Sequence, residues 1–203
     1  MPTHGQTDLM VPTPALPAAV RCAWQAHPRG TPAEPVIRHW LGAQLQCAPD
    51  AVALVRDVLG RPRLCAAQSG FDVNWSHSGD GLMVALGDGV SVGVDLERLR
   101  PRPRALDIAR RFLASSEADW LASLSDEARG PAFIRLWCAK EAVLKAHGRG
   151  LAFGLDKLTF REVDTHLQLV DCDRALGVPE SWSLREFEPH PGYRAALAWR
   201  ARP

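Results

Sequence analysis

The chain has 203 residues, of which 46% are hydrophobic, 23% charged and 7% aromatic, the balance of a folded soluble protein with one large domain or two small ones. Twenty-four Lys and Arg against 23 Asp and Glu leave a formal charge of +1, so no bulk field draws the chain to nucleic acid or to a membrane surface, and an anionic partner needs a local patch. The same composition excludes collagen-like, low-complexity and disulfide-scaffold classes, and no apolar run reaches the roughly 18 residues that a bilayer span requires.

Residues 1–17, rich in Pro and Thr, read as a loose tail without the basic start and apolar stretch of a secretory signal. From Glu34 to Gln46, Val36, Ile37, Trp40, Leu41 and Leu45 recur at helical spacing, with Pro35 in the first turn. Strand-like pieces follow at Ala51–Arg56, Leu82–Leu86 and Val90–Leu96. Turn signals separate them at Leu59-Gly60-Arg61-Pro62, Gly79-Asp80-Gly81 and Gly87-Asp88-Gly89. The basic, Pro-rich run Arg98–Arg104 reads as a linker. Helical patterns come next at Ala105–Phe112, Ser116–Ser123 and Pro131–Ala146, the second preceded by an N-cap signature at Ser115-Ser116-Glu117. Strands return at Leu158–Val163, His166–Val170, Trp182–Phe187 and Tyr193–Trp199. Each half reads as helix first and strands after, which predicts two similar α+β lobes, 18–97 and 98–203, with the seam at Glu97–Arg104. Cys22, Cys47, Cys65, Cys138 and Cys172 are scattered, odd in number and never form C-x-x-C, the pattern of reduced thiols in a cytoplasmic protein.

Three constellations could carry chemistry. In Val92-Gly93-Val94-Asp95-Leu96-Glu97 the two carboxylates lie two apart on a strand and share a face, while Val94 and Leu96 share the other. Such a pair repels unless a proton or a cation such as Mg²⁺ intervenes; the alternative is a solvated strand end. In Trp137–Leu151, Glu141 and Lys145 are four apart on one helix face, either a plain ion pair or part of an anion site with Lys140, Arg149 and the glycines Gly148 and Gly150. In Asn74-Trp75-Ser76-His77-Ser78-Gly79 the imidazole and hydroxyls could hold a phosphate, or the run could be a turn between strands.

Taken in order, Gly60-Arg61-Pro62, Asn74-x-Ser76-His77-Ser78, Gly93-Val94-Asp95-x-Glu97, Arg111-Phe112 with Glu117 downstream, and Trp137-x-x-Lys140-Glu141-Ala142-x-x-Lys145-x-x-Gly148-x-Gly150-Leu151 make a chain that resembles the 4′-phosphopantetheinyl transferase superfamily in its longer, single-chain Sfp-like class. The resemblance runs from about Arg38 to Phe160. It implies two pseudo-twofold-related α+β lobes, each a helix packed on a small antiparallel sheet, with the active site in the cleft between them. It implies transfer of the phosphopantetheine arm of coenzyme A to a serine of an apo acyl or peptidyl carrier protein, releasing adenosine 3′,5′-bisphosphate. By matching positions, Asp95, Glu97 and Glu141 would bind Mg²⁺, Glu141 would take the serine proton, and Lys145 would meet the leaving phosphate. Gly60, Arg61, Pro62, Ser76, His77, Lys140, Lys145 and Arg38 would line the coenzyme site, with Arg61 standing where Lys is more usual. The resemblance also implies a monomer, since one chain contains both lobes. The competing readings are a non-catalytic carrier-protein or nucleotide-binding module of the same fold, and an unrelated Mg²⁺-dependent phosphohydrolase.

Overall fold

The structure is a computed structural model and describes residues 16–202, so the expected tail lies outside it except for Leu16 and Pro17. Among the described residues ten strands and four α-helices are formed: β1 Val20–Ala26, α1 Glu34–Leu45, β2 Leu54–Arg56, β3 Pro62–Leu64, β4 Phe71–Ser78, β5 Gly81–Asp88, β6 Val90–Arg98, α2 Ala105–Phe112, α3 Ser115–Ser123, α4 Asp126–His147, β7 Leu158–Val163, β8 His166–Cys172, β9 Ser183–Phe187 and β10 Tyr193–Ala201. The expected helices and strands are found, with β1, β3 and β4 added to them and the helix starts shifted. The Asn74–Gly79 run is not a turn but the end of β4. The helix expected from Pro131 starts at Asp126, because Ser125 accepts the Ala128 N–H (3.3 Å) and acidic residues fill the first turn. Helix α3 takes its cap from Ala114, whose N–H is accepted by the Glu117 carboxylate reaching back (3.0 Å), and not from Ser115 or Ser116.

All strand pairs are antiparallel. One sheet runs β1-β5-β4, the other β6-β10-β9, and two hairpins, β2-β3 and β7-β8, stand apart. The order strand, helix, hairpin, strand, strand therefore occurs twice, as β1-α1-β2-β3-β4-β5 and as β6-α4-β7-β8-β9-β10, with α2 and α3 inserted in the second copy. Each half begins with a strand, not a helix. The pairing divides the halves at the turn between Asp88 and Val90, ahead of the expected seam, because β6 pairs along its whole length with β10.

Alternation along the strands stacks these parts in layers. Leu82, Val84 and Leu86 of β5 face Ile37 and Leu41 of α1. Met83 and Ala85 face Val92, Val94 and Leu96 of β6 and Ala195 and Leu197 of β10. Ala196 and Ala198 of β10 face Leu136, Ala139, Ala142, Val143 and Ala146 of α4. The order is α1, sheet, sheet, α4, with each buried Leu or Val contributing roughly 1.5–3 kcal/mol. The α4 layer sits unusually close. A Cβ placed on Gly93 of β6 would stand 2.1 Å from the Ala142 carbonyl oxygen and 2.3 Å from the Ala146 nitrogen, so helix backbone rests directly on strand backbone. Glu141 and Lys145 flank that contact.

Candidate active site

β4 lies beside β6, and side chains rather than a backbone ladder join them. Asp72, Asn74, Ser76 and Ser78 share one face of β4. Asp72 Oδ2 accepts the Val92 N–H (2.8 Å), Asn74 Oδ1 the Val94 N–H (3.0 Å), and Ser78 Oγ the Arg98 N–H (3.1 Å). Ser76 instead donates its hydroxyl to Asp95 Oδ1 (2.9 Å). The other face of β6 carries Asp95 and Glu97 toward α4. There Lys145 Nζ donates to Asp95 Oδ1 (2.6 Å), Ser76 Oγ (3.1 Å) and the Val94 carbonyl (3.2 Å). Glu97 Oε2 accepts from Arg102 Nη2 (2.6 Å) and Ser78 Oγ (3.3 Å).

Glu141, one helical turn before Lys145, is 6% exposed. Burial pushes its carboxyl up to about 7; Asp95 and Glu97 add to the rise and Lys145 opposes it. Burial, and then the Asp95 charge, also raise Glu97 against the pull of Arg102 and Ser78. The Asp95 charge is thus near enough to Glu97 and Glu141 to disfavour their ionisation. Asp95 Oδ2 is buried with no hydrogen-bond partner. Hard oxygen donors with one orphaned oxygen suit Mg²⁺. Among the described residues no three His, Cys, Asp or Glu side chains are gathered about one point; here Lys145 and Arg102 each hold a carboxylate oxygen.

The structure joins Ser76, Asp95 and Lys145 by hydrogen bonds, sets Glu97 and Glu141 near Asp95 without drawing the three carboxylates to one point, and leaves other expected residues elsewhere. Lys140, expected on the coenzyme side, is 0% exposed. It pairs with Glu117 Oε2 (2.5 Å) and donates to the carbonyls of Leu155 (2.7 Å) and Leu158. One residue's step around a helix turns it about 100° from Glu141, into the core. Burial pushes the Lys140 ammonium down and the Glu117 carboxyl up, and each partner pulls the other back. Arg38 on α1 is committed to Glu34 (2.9 Å) and the Val52 carbonyl (2.6 Å). His77 is exposed and shares the face of β4 that carries Val73 and Trp75, opposite to Ser76. Gly60, Arg61 and Pro62 close the β2-β3 hairpin, Gly60 with φ +78°. Arg61 is buried at the far end of the β4 row, pairs with Asp72 (2.5 Å) and donates to the Val92 carbonyl (3.1 Å). Its Nε and Nη1 are buried without partners. Arg102 and Ser78 were missed as neighbours of Glu97. The period-two polar alternation Asp72-x-Asn74-x-Ser76-x-Ser78 was the signal that would have found the β4 face.

The family described as the 4′-phosphopantetheinyl transferase superfamily matches residues 91–198. A relative named putative 4′-phosphopantetheinyl transferase slr0495, from Synechocystis sp., is 37% identical over 60% of this chain and 50% of its own. The 4′-phosphopantetheinyl transferase HetI of Nostoc sp. is 34% identical over 84% of this chain and 70% of its own. The 4′-phosphopantetheinyl transferase Sfp of Bacillus subtilis is 34% identical over 61% of this chain and 53% of its own. The chain spans about half the length of the first and the last of these.

Proposed function

The chain belongs to the 4′-phosphopantetheinyl transferase superfamily, and from that premise we propose that it moves the phosphopantetheine arm of coenzyme A to a serine of an apo acyl or peptidyl carrier protein. The observation that carries the reading is the meeting of Asp95 and Glu97 from β6 with Glu141 and Lys145 from α4 across the Gly93 contact. Asp95, Glu97 and Glu141 would hold Mg²⁺, which when bound neutralises the pyrophosphate. Glu141, with its carboxyl pushed to about 7, is balanced to accept the proton of the incoming serine hydroxyl near neutral pH. The serine oxygen bonds to the phosphorus that carries the pantetheine arm, and the bond from that phosphorus to the oxygen of adenosine 3′,5′-bisphosphate breaks. The Lys145 ammonium, held by Ser76 and the Val94 carbonyl, faces the charge that grows on the departing phosphate. Arg61, with two unpartnered nitrogens, gives the coenzyme a cationic wall beyond Ser76. His77 and Gly60 with Pro62 would border it from the strand edge and the hairpin.

We read the enzyme as a monomer, since the order of strand, helix and hairpin occurs twice in one chain, and as cytoplasmic, since its five cysteines are free; no helix among the described residues is long and apolar enough to cross a membrane. The test is incubation with coenzyme A, Mg²⁺ and a panel of apo-carrier proteins, followed by intact mass. Gain of the phosphopantetheine mass on a carrier supports the reading, with loss of that gain in Asp95→Ala and Glu141→Ala proteins that still fold. Phosphate release with no carrier modified would support the phosphohydrolase instead.

A further inference from the structure

We infer that Arg102 is a built-in counter-cation that a divalent ion displaces from Glu97, so that this arginine sets how tightly the carboxylate cluster takes up its ion. The inference rests on the metal reading above and goes beyond it by naming a residue outside the recurring motifs.

Arg102 sits in the run Leu99–Arg104, and its Nη2 lies 2.6 Å from Glu97 Oε2, both side chains 22% exposed. The cluster holds three carboxylates and two cations: Lys145 on Asp95 and Arg102 on Glu97. Arg102 holds one of the two Glu97 oxygens open to an incoming ion, whereas Asp95 keeps its unpartnered Oδ2. The Arg102 pair is not a finished structural knot, since its Nε is buried with no partner. It also has somewhere to go. On one side Arg102, Glu97, Ile108, Phe133 and Trp137 line a cavity of about 90 Å³. On the other, Arg102 lines an open groove of about 710 Å³ between Leu99, Leu106, Glu127 and Pro131. Its flanking prolines, Pro101 and Pro103, are exposed, and among the described residues the ion-pair partner of its guanidinium is Glu97. Ion binding and arginine release are then linked, and each must weaken the other's hold on Glu97 by the same factor.

The experiment is titration of the coenzyme-free protein with Mn²⁺ as the probe, followed by calorimetry or by the free-ion paramagnetic signal. Arg102→Met is expected to bind Mn²⁺ about two- to fivefold more tightly than the unsubstituted protein at low salt, the scale of losing one partly exposed competing ion pair. Arg102→Lys is expected between the two, and the gap narrows as added salt screens the pair. A second readout needs no substitution: phenylglyoxal modification of Arg102, mapped by peptide mass, speeds up when Mn²⁺ is present, and does not in Asp95→Asn. Equal or weaker Mn²⁺ binding in a folded Arg102→Met protein overturns the inference and leaves the metal reading standing. So does an Arg102 modification rate that Mn²⁺ does not move, which decides the matter even where Arg102→Met fails to fold. If neither the unsubstituted protein nor the variants bind Mn²⁺, both the inference and the metal reading fall.

Discussion

Replacing Gly93 by alanine strikes the contact that seats α4 on β6. The added methyl would stand 2.1 Å from the Ala142 oxygen and 2.3 Å from the Ala146 nitrogen, where ordinary contact begins at 3.4 Å. Backbone atoms in mid-helix cannot rotate aside as a side chain can, so α4 must withdraw by about 1.3 Å, the gap between 2.1 Å and the 3.4 Å of ordinary contact. Withdrawal loosens Ala142, Val143 and Ala146, which are buried on this face, and overpacking of this kind costs roughly 1–3 kcal/mol. For a chain of this size the melting temperature should fall by roughly 2–12 °C. The loss of activity should be greater. Glu141 and Lys145 ride on the displaced stretch, and the 2.6 Å contact of Lys145 with Asp95 would open beyond hydrogen-bond reach. A misplacement of about 1 Å costs on the order of 100-fold in rate. The assay is holo-carrier formation by intact mass under saturating coenzyme A, beside thermal unfolding. Gly130→Ala is the control: it lies on the same helix, nothing stands within 4 Å of its Cβ position, and alanine there should be neutral or slightly stabilising. A Gly93→Ala protein with unchanged melting and turnover would refute the backbone contact. A lowered melting temperature with full turnover would refute its role in spacing the two charged groups.

Lys145→Ala should lower kcat at least about tenfold, or about 1.4 kcal/mol in barrier, with little change in melting, and Lys145→Arg should recover part of that; early unfolding with normal turnover would mean that the lysine is only a structural ion-pair partner. Lys140→Ala should cost roughly 3–5 kcal/mol in urea denaturation by leaving the Glu117 carboxyl in the core without its counter-ion, while Lys140→Met with Glu117→Leu should regain most of it. A Lys140→Ala protein of full stability whose only defect is a raised KM for coenzyme A would show that the lysine binds coenzyme after all. Burial raises the thiols of Cys138 well above their usual range and of Cys22 to about 12, so at pH 8 both are almost wholly protonated and iodoacetamide should label them only after unfolding. Labelling of Cys138 in the folded protein ahead of Cys47 would contradict that.

The parts of the fold that were legible are those where one periodicity dominates. Val36, Ile37, Trp40, Leu41 and Leu45 mark α1, and the four-residue step from Glu141 to Lys145 places both on one face of α4. Strand β4 was hidden because its polar residues, Asp72, Asn74, Ser76 and Ser78, occupy a buried face: they bond the edge of β6 and replace a backbone ladder. Local hydroxyls and a following glycine resemble a turn until the partner strand is known. Strand β1 was hidden for a similar reason, its alternation of Cys22 and Trp24 with Arg21, Ala23 and Gln25 being only weakly apolar. Lys140 carries the same charge as Lys145, and only the packing of α3 and β7 around it shows that it ends on Glu117. Arg102 has no periodic signal at all, since the destination of a linker side chain depends on long-range contacts.

The doubled order of strand, helix and hairpin has a stoichiometric consequence. In the second copy, Gly93, Asp95 and Glu97 turn toward the helix; in the first copy the corresponding face of β1 carries Arg21, Ala23 and Gln25 toward α1, with Arg21 bonded to the Gln44 carbonyl (3.1 Å). One mouth of the duplicated frame is thus furnished with carboxylates and the other with a guanidinium, a methyl and an amide. The first copy serves as a wall, lending Ser76 and Ser78 across the junction. Among the described residues the duplicated frame thus carries its carboxylates in one copy, and a piece holding only residues 90–202 would keep Asp95, Glu97 and Glu141 yet lack the hydroxyls that bond two of them.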